Sequence, residues 1–165
     1  MLRIPLIARV AVACSTFGLL LAVPQGARAG EITLFWSRNA PKDSWRTGQG
    51  ATLTMGILKV VQVEAEGARG LDSADELRMT YFTGSAAAKL PFTKVSPFAG
   101  LGVGLYQQSL GSNWKINTFE AAFVGVKVRL ADLIVLRGEY RRFSLHGNPY
   151  RKLDSRITLG AGIAF

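Results

Sequence analysis

The chain has 165 residues, of which 48% are hydrophobic and only 19% are charged. That length suits one domain, and the composition is more apolar than that of an average soluble domain. The formal net charge is +9, but no run of about 18 apolar residues follows the N-terminal segment, which excludes a transmembrane helix in the mature chain. The only cysteine, Cys14, lies in that same segment, so disulfides are excluded from the mature domain.

The first 29 residues predict a cleaved secretory signal peptide, followed by one domain of residues 30–165. Positive charges precede an apolar core at 10–23, and Ala27-Arg28-Ala29 fits the small-x-small pattern of a cleavage site. Removing Arg3, Arg9 and Arg28 leaves 20 − 3 = 17 basic residues against 11 acidic ones, a formal charge of +6. For a basic chain that is secreted, we expect anionic lipid head groups as partners and no nucleic acid.

Alternation of apolar and polar residues predicts eight strands in the mature chain. The first, Glu31–Ser37, places Ile32, Leu34 and Trp36 on one face. The other predicted strands span residues 51–57, 61–67, 77–88, 97–106, 117–130, 133–143 and 152–165. In the fifth strand, bulky residues alternate with Gly100, Gly102 and Gly104, a pattern typical of close backbone approach inside a narrow barrel.

The connections between these strands predict how the sheet closes. Short connections at 58–59, 90–94 and 131–132 fall on the side of both termini, and longer ones at 38–48, 68–76, 107–115 and 144–151 fall opposite. Strands of about 9 to 11 residues are long enough to cross a bilayer when tilted. Short turns on one side and longer loops on the other are typical of outer-membrane proteins. We therefore predict an all-β fold, a closed antiparallel up-and-down eight-stranded transmembrane β-barrel, in which the last strand pairs with the first.

The mature chain resembles the small bacterial outer-membrane β-barrel superfamily, which includes the OmpA and OmpX types. Pro97–Tyr106 resembles its glycine-alternating strand. The C-terminus resembles its assembly signal, a terminal Phe with apolar residues at alternate preceding positions: Ile157, Leu159, Ala161, Ile163 and Phe165. The resemblance implies residence in the bacterial outer membrane, contact with outer-membrane lipid and lipopolysaccharide, and insertion by the barrel-assembly machinery. We further expect a monomer.

Charged residues on the faces opposite the apolar ones predict an interior network. An eight-stranded barrel is only about wide enough for its own side chains, which favours an interior filled by salt bridges over a pore or proton path. Glu139 and Arg156 lie on neighbouring strands and are expected to pair. The predicted lumen set comprises Gln62, Glu64, Glu66, Lys127, Arg129, Arg137, Glu139, Arg141 and Arg156.

Two further sets of residues lie near the predicted strand ends. Aromatic residues there predict girdles at the two membrane interfaces: Trp36, Tyr106, Trp114 and Tyr140 toward the loops, and Phe92, Phe98 and Phe165 toward the turns. Basic residues toward the loops either contact lipopolysaccharide phosphates or are simply solvated: Arg38, Lys42, Arg46, Arg69, Lys115, Arg141, Arg142, Arg151 and Lys152.

Ser144 and His146, near the last hairpin, are the only catalytic candidates. They resemble the outer-membrane lipid A deacylases, which use a Ser/His/Glu arrangement on the outer face of a barrel, although the eighth strand offers only Asp154 as an acidic partner. One His and no mature Cys do not make a metal site, and no cofactor is implied.

We therefore predict a structural or surface-interaction role through the loops, without enzymatic activity and without the function of a general porin. An outer-membrane lipid-modifying enzyme of the deacylase type is the first alternative. A periplasmic lipocalin-type ligand-binding barrel is the second, and the charged inner faces argue against it.

Overall fold

The structure, a computed structural model, describes residues 30–41, 46–70, 77–90, 94–110, 112–130, 132–147, 149–150 and 153–165. The predicted signal peptide, residues 1–29, lies outside the described residues. None of the described residues forms a helix that is long and apolar enough to cross a membrane. The elements are eight strands: β1 (Gly30–Pro41), β2 (Arg46–Gly56), β3 (Val61–Gly70), β4 (Leu77–Lys89), β5 (Val95–Leu110), β6 (Asn113–Arg129), β7 (Ile134–Leu145) and β8 (Leu153–Ala164).

The eight strands form one closed antiparallel barrel in sequence order, which confirms the predicted fold class. Closure occurs between β1 and β8, where Ile32 pairs with Ile163 and Trp36 with Leu159. Reciprocal backbone hydrogen bonds join the two ends, from Gly30 N to Phe165 O at 2.7 Å and from Phe165 N to Gly30 O at 2.9 Å. The predicted assembly-signal residues of β8, together with Phe165, are exposed on the outer wall. Their recognition by the assembly machinery stays a prediction.

The barrel wall has the polarity expected of a membrane-spanning barrel, with apolar residues outside and charged residues inside. Leu101 is 71% exposed and Leu159 is 69% exposed, whereas Arg141 and Arg156 are fully buried. The alternation follows from strand geometry, because successive side chains point to opposite faces of the sheet. In a membrane the exposed side chains contact lipid hydrocarbon, so exposure of large apolar groups is favourable there.

Glycines on β5 make room for aromatic rings inside the lumen. A Cβ atom at Gly100 would lie 2.5 Å from the ring of Phe123, and one at Gly104 would lie 2.6 Å from the ring of Phe119. Both rings belong to the neighbouring strand β6 and are buried. The glycine run therefore serves the close packing that the sequence predicted.

The predicted strand ends and loop lengths are partly wrong. The segment 107–115, predicted as a long loop, is mostly strand: β5 has 16 residues, β6 has 17, and only residues 111–112 separate them. Residues 38–41 likewise belong to β1, and Ser144 lies inside β7. Near its loop end β5 carries Gln107 and Ser109 instead of apolar residues. The strand continues there because β4 and β6 still pair with it, up to Leu77–Leu110 and Leu110–Asn113.

The aromatic girdles are also only partly as predicted. Trp36, Trp114, Tyr140 and Phe165 are exposed on the outer wall, as expected. Tyr106 and Phe98, by contrast, are 0% and 4% exposed and point into the lumen. Both occupy even positions of β5, which face inward together with the glycines. Phe92 lies outside the described residues.

If the exposed apolar side chains of the wall face lipid, a charged residue there should lower the free energy of unfolding, and more so near the membrane midplane than near the interfaces. Leu101→Arg should lower the free energy of unfolding by about 2–4 kcal/mol, because the guanidinium would enter hydrocarbon near the midplane. Thr118→Arg, an exposed position nearer the loops, should cost about 0–1 kcal/mol. Urea unfolding in lipid vesicles measures both values. Equal costs at the two positions would contradict the assignment.

Candidate functional site

The structure places most of the predicted lumen residues inside the barrel. Gln62 is buried there, together with seven charged residues: Glu64, Glu66, Lys127, Arg137, Glu139, Arg141 and Arg156. Arg129 is the exception, because it is exposed. Its position along β6 has the inward parity, but it is the last residue of the strand and lies at the mouth of the barrel. The prediction for Arg129 is therefore wrong.

One half of the network joins β1, β3, β6 and β7 across the lumen. Arg137 donates two hydrogen bonds to Glu64, at 2.8 Å to Oε1 and 2.7 Å to Oε2, in a bidentate arrangement. Lys127 Nζ lies 3.0 Å from Glu31 Oε2 and 3.9 Å from Glu64 Oε1. Glu31 was absent from the predicted set. Its alternation with Ile32 was the signal that could have placed it in the lumen.

The other half is centred on Glu66 and Glu139. Arg156 donates to both oxygens of Glu66, at 2.7 and 2.9 Å, and to the hydroxyl oxygen of Tyr81 at 2.7 Å. Glu139 accepts hydrogen bonds from Arg137 and from Arg141 Nε, the latter at 2.8 Å. The expected contact between Arg156 and Glu139 is present at 3.5 Å. Glu139 thus connects the two halves.

The network is balanced in charge and packed against aromatic rings. Its acidic members are Glu31, Glu64, Glu66 and Glu139, and its basic members are Lys127, Arg137, Arg141 and Arg156. All three guanidinium groups of the network lie over rings: Arg137 at 4.7 Å from Phe98, Arg141 at 4.5 Å from Phe123, and Arg156 at 5.1 Å from Phe35. The part of the lumen that holds the network is filled by paired charges and rings, which suits a plugged barrel better than an open pore.

The network predicts that replacing one member of an ion pair destabilises the barrel more than replacing both members. Glu66→Leu should lower the free energy of unfolding by about 3–5 kcal/mol, because Arg156 would keep a buried charge without its bidentate partner. The double variant Glu66→Leu/Arg156→Met should recover most of that loss. Unfolding in vesicles provides the measurement, with the exposed Lys59→Met as a control. Additive losses in the double variant would contradict the interpretation.

A second group of polar residues lies on the outer wall near the loop end, which is the end of the barrel opposite Gly30 and Phe165. His146 Nε2 is 3.6 Å from Glu120 Oε1, and the two side chains are 53% and 66% exposed. Glu120, on β6, pairs in register with Ser144 on β7. The sequence suggests only Asp154, on β8, as an acidic partner for the histidine. In the structure the acidic partner of His146 is Glu120, on β6. Strand register brings Glu120 to this place, and the linear pattern contains no signal for it.

The backbone around His146 is held by its neighbours. His146 N donates to Thr118 O at 3.0 Å, and the Tyr106 hydroxyl donates to His146 O at 2.9 Å. The chain then turns at Gly147, whose φ is +86°, a value that favours glycine. Among the described residues, no hydrogen bond joins Ser144 Oγ to His146. The arrangement thus places the imidazole of His146 in contact with the carboxylate of Glu120, with the hydroxyl of Ser144 two residues earlier in the chain.

Exposed basic residues also lie toward the loop end of the barrel. Arg38, Arg69 and Arg142 are exposed there, as is Arg78, which was absent from the predicted set. Lys115 lies over the Tyr150 ring at 4.2 Å from its centroid. Arg141, predicted among these surface residues, is buried in the lumen network instead, because its side chain has inward parity on β7. Lys42, Arg151 and Lys152 lie outside the described residues, as does the side chain of Arg46.

The part of the chain that the structure describes holds no group of three or more His, Cys, Asp or Glu residues that could bind a metal ion.

Comparison with known proteins identifies the fold. No family model matches the chain, and no curated protein matches it. Among solved structures, the N-terminal β-barrel domain of Pseudomonas aeruginosa OprF is similar with a TM-score of 0.69 at 16% identity, covering 86% of this chain and 100% of that one. Neisserial surface protein A (NspA) gives 0.64 at 14% identity, with 85% and 98% covered. Ail of Yersinia pestis gives 0.55 at 16% identity, with 83% and 98% covered.

These likenesses agree with the polarity of the wall. A closed eight-stranded sheet with apolar residues outside and paired charges inside requires a hydrocarbon environment. The chain therefore has the fold of the small bacterial outer-membrane β-barrels.

Proposed function

We propose that this barrel acts at the cell surface, where the basic side chains at its loop end bind the phosphate groups of lipopolysaccharide. The lumen is filled by the ionic network and aromatic rings, which leaves the outer surface for interactions. The start of β1, the end of β8 and the connections at 57–60, 90–94 and 130–133 share one end. The two longest connections, 71–76 and 146–152, lie at the opposite end, and the longer loops of outer-membrane barrels are extracellular, so we orient the loop end outward.

The observation that carries the proposal is the charge of the exposed loop end. The exposed charged residues described there include the cations Arg38, Arg69, Arg78 and Arg142, against the anions Glu120 and Asp154. Arginine forks suit phosphate and sulfate groups, which they contact through two parallel hydrogen bonds. Ail, whose fold is similar, has been solved in complex with the heparin analogue sucrose octasulfate. A polyanionic ligand is thus compatible with a barrel of this fold.

The proposal predicts which charges control polyanion binding. The triple variant Arg38→Gln/Arg69→Gln/Arg78→Gln should bind purified lipopolysaccharide about tenfold more weakly, because three exposed ion pairs of roughly 0.2–1 kcal/mol each are lost. Binding should also weaken as salt is raised, since exposed charges are screened. Titration of the folded protein in detergent measures both effects.

A matched control removes the same charge from the opposite end. Lys59→Gln/Lys89→Gln/Lys94→Gln changes the net charge equally, at residues near the terminal end of the barrel. Affinity should stay close to that of the unmodified protein. An equal loss in both triple variants would show that net charge alone, and not the loop-end residues, governs binding.

A second candidate function is hydrolysis of an acyl ester in an outer-leaflet lipid, favoured by the contact between His146 and Glu120. Glu120 can orient the imidazole through Nε2 and stabilise the imidazolium, which leaves Nδ1 to accept the proton of Ser144 Oγ. The oxygen would attack the ester carbonyl, form an acyl-enzyme and release the alcohol with that proton, and water would then release the fatty acid. A side-chain rotation must first bring Ser144 Oγ to the imidazole.

This second function predicts release of fatty acid from vesicles that contain lipopolysaccharide. Ser144→Ala and Glu120→Gln should each reduce the rate on the order of 10³-fold or more, since nucleophile and orienting group act as a unit. Ser109→Ala, a serine on β5 away from the cluster, should leave it unchanged. Mass spectrometry of released fatty acid is the measurement, and full activity of Ser144→Ala would exclude the hydrolase.

A further inference from the structure

A groove runs along the outer wall across β4, β5 and β6. Its volume is about 440 Å³, within the range of small-molecule sites. The residues that line it are Gly84, Ser85, Ala86, Leu101, Gly102, Val103, Glu120 and Ala121. Five of them point outward and are exposed, namely Gly84, Ala86, Leu101, Val103 and Glu120. The groove therefore opens on the outer wall, with the inward-facing Ser85, Gly102 and Ala121 at its floor.

Small residues beside large ones create the groove. Gly84 pairs with Val103, and Ala86 pairs with Leu101, so one side of the groove has almost no side chain. A Cβ atom added at Gly84 would meet nothing within 4 Å. Leu101 and Val103 project from the other side and are largely exposed. A flexible hydrocarbon chain can lie in such a gap and recover contacts that an uneven wall would otherwise lose.

The two ends of the groove differ in polarity. At the end nearer the loops, Val103 pairs with Glu120, and Glu120 pairs with Ser144 and contacts His146. At the other end, Leu101 lies between Ala86 and Ala122. An ionisable side chain on a lipid-facing wall is costly and points to a functional partner. An apolar groove that ends at a carboxylate and an imidazole matches an amphiphile, with its chain in the groove and its head at Glu120.

We propose that this groove binds one acyl chain of the lipid A part of lipopolysaccharide. The polar end lies toward the loops and thus in the outer leaflet, where lipopolysaccharide is found. Glu120 can only accept hydrogen bonds when ionised. Lipid A carries hydroxyl and amide donors on the acyl chains themselves, whereas the donors of a phospholipid such as phosphatidylglycerol lie in the head group, beyond the phosphate. The inference rests on the proposed function only for the outward orientation of the loop end, and it requires neither binding at the basic loop end nor hydrolysis.

The test fills the groove without changing the lumen. Gly84→Leu places a side chain in the open space of the groove, and Gly138→Leu adds the same side chain on the outer wall of β7, where a Cβ would make ordinary contacts with Leu159 at 3.6 Å and Val126 at 3.9 Å. Each folded protein is incubated with lipid A or with phosphatidylglycerol in mild detergent, and bound lipid is counted by native mass spectrometry. A gel shift on boiling verifies that each barrel is closed.

We expect the unmodified protein and Gly138→Leu to retain one lipid A, and Gly84→Leu to show at least tenfold lower occupancy. Ala86→Leu, which fills the apolar end, should have the same effect and replaces Gly84→Leu if that variant does not fold. Equal retention by the groove variants and the control would overturn the proposal. Equal retention of phosphatidylglycerol and lipid A by the unmodified protein would also overturn it.

Two variants separate this inference from the functions proposed above. The triple variant of Arg38, Arg69 and Arg78 should keep its groove-bound lipid A even where its affinity for whole lipopolysaccharide falls. Ser144→Ala should retain lipid A as the unmodified protein does, because hydrolysis is not needed for binding. Loss of lipid A from either variant, with Gly84→Leu unaffected, would assign the retained lipid to the loop end or to the polar cluster and overturn the groove.

Discussion

Closure of eight strands leaves a lumen only about wide enough for the side chains that point into it, and the rest of the structure depends on that narrow space. Charged groups in the lumen are removed from bulk water, so each requires a partner of opposite sign. The four acidic and four basic side chains meet that requirement by pairing across the barrel, as in the bidentate contact between Arg156 and Glu66. Large rings such as Phe123 fit because the facing positions on β5 are glycines.

Because the lumen is this narrow, other molecules can contact the barrel only from outside. With the interior occupied, the surfaces available for recognition are the loop end and the wall. The wall is mostly apolar, as contact with hydrocarbon requires. Glu120 departs from that rule, because it is an exposed carboxylate among Leu101, Val103 and other apolar residues. Its contact with His146 and its place at the end of a groove are the observations on which the proposed recognition of a lipid with a polar head rests.

Stability and recognition are thus separated by the inside–outside alternation of each strand. On β7, Arg137, Glu139 and Arg141 face inward and hold the barrel together, while Arg142 and Ser144 face outward. Neighbouring residues such as Arg141 and Arg142 therefore have unrelated roles. A substitution at the inward position affects folding, and one at the outward position can change the proposed binding alone, so stability and the proposed binding are experimentally separable.

The sequence by itself determined the number of strands, the inward or outward direction of most side chains and the membrane environment. These properties follow from local periodicity, since side chains alternate along any strand. This alternation therefore predicts nearly all of the interior charges, and Glu31 follows it as well.

Strand ends and contacts between strands were decided only by the tertiary structure. The continuation of β5 and β6 through residues 107–110 and 113–115 depends on hydrogen bonds from adjacent strands, which a run of polar residues does not reveal. Pairing of Glu120 with Ser144, and the groove beside Gly84, depend on the register between strands. Register is set by the closure of the whole sheet and by no single stretch of the chain, so the candidate outer-wall site became visible only in the folded barrel.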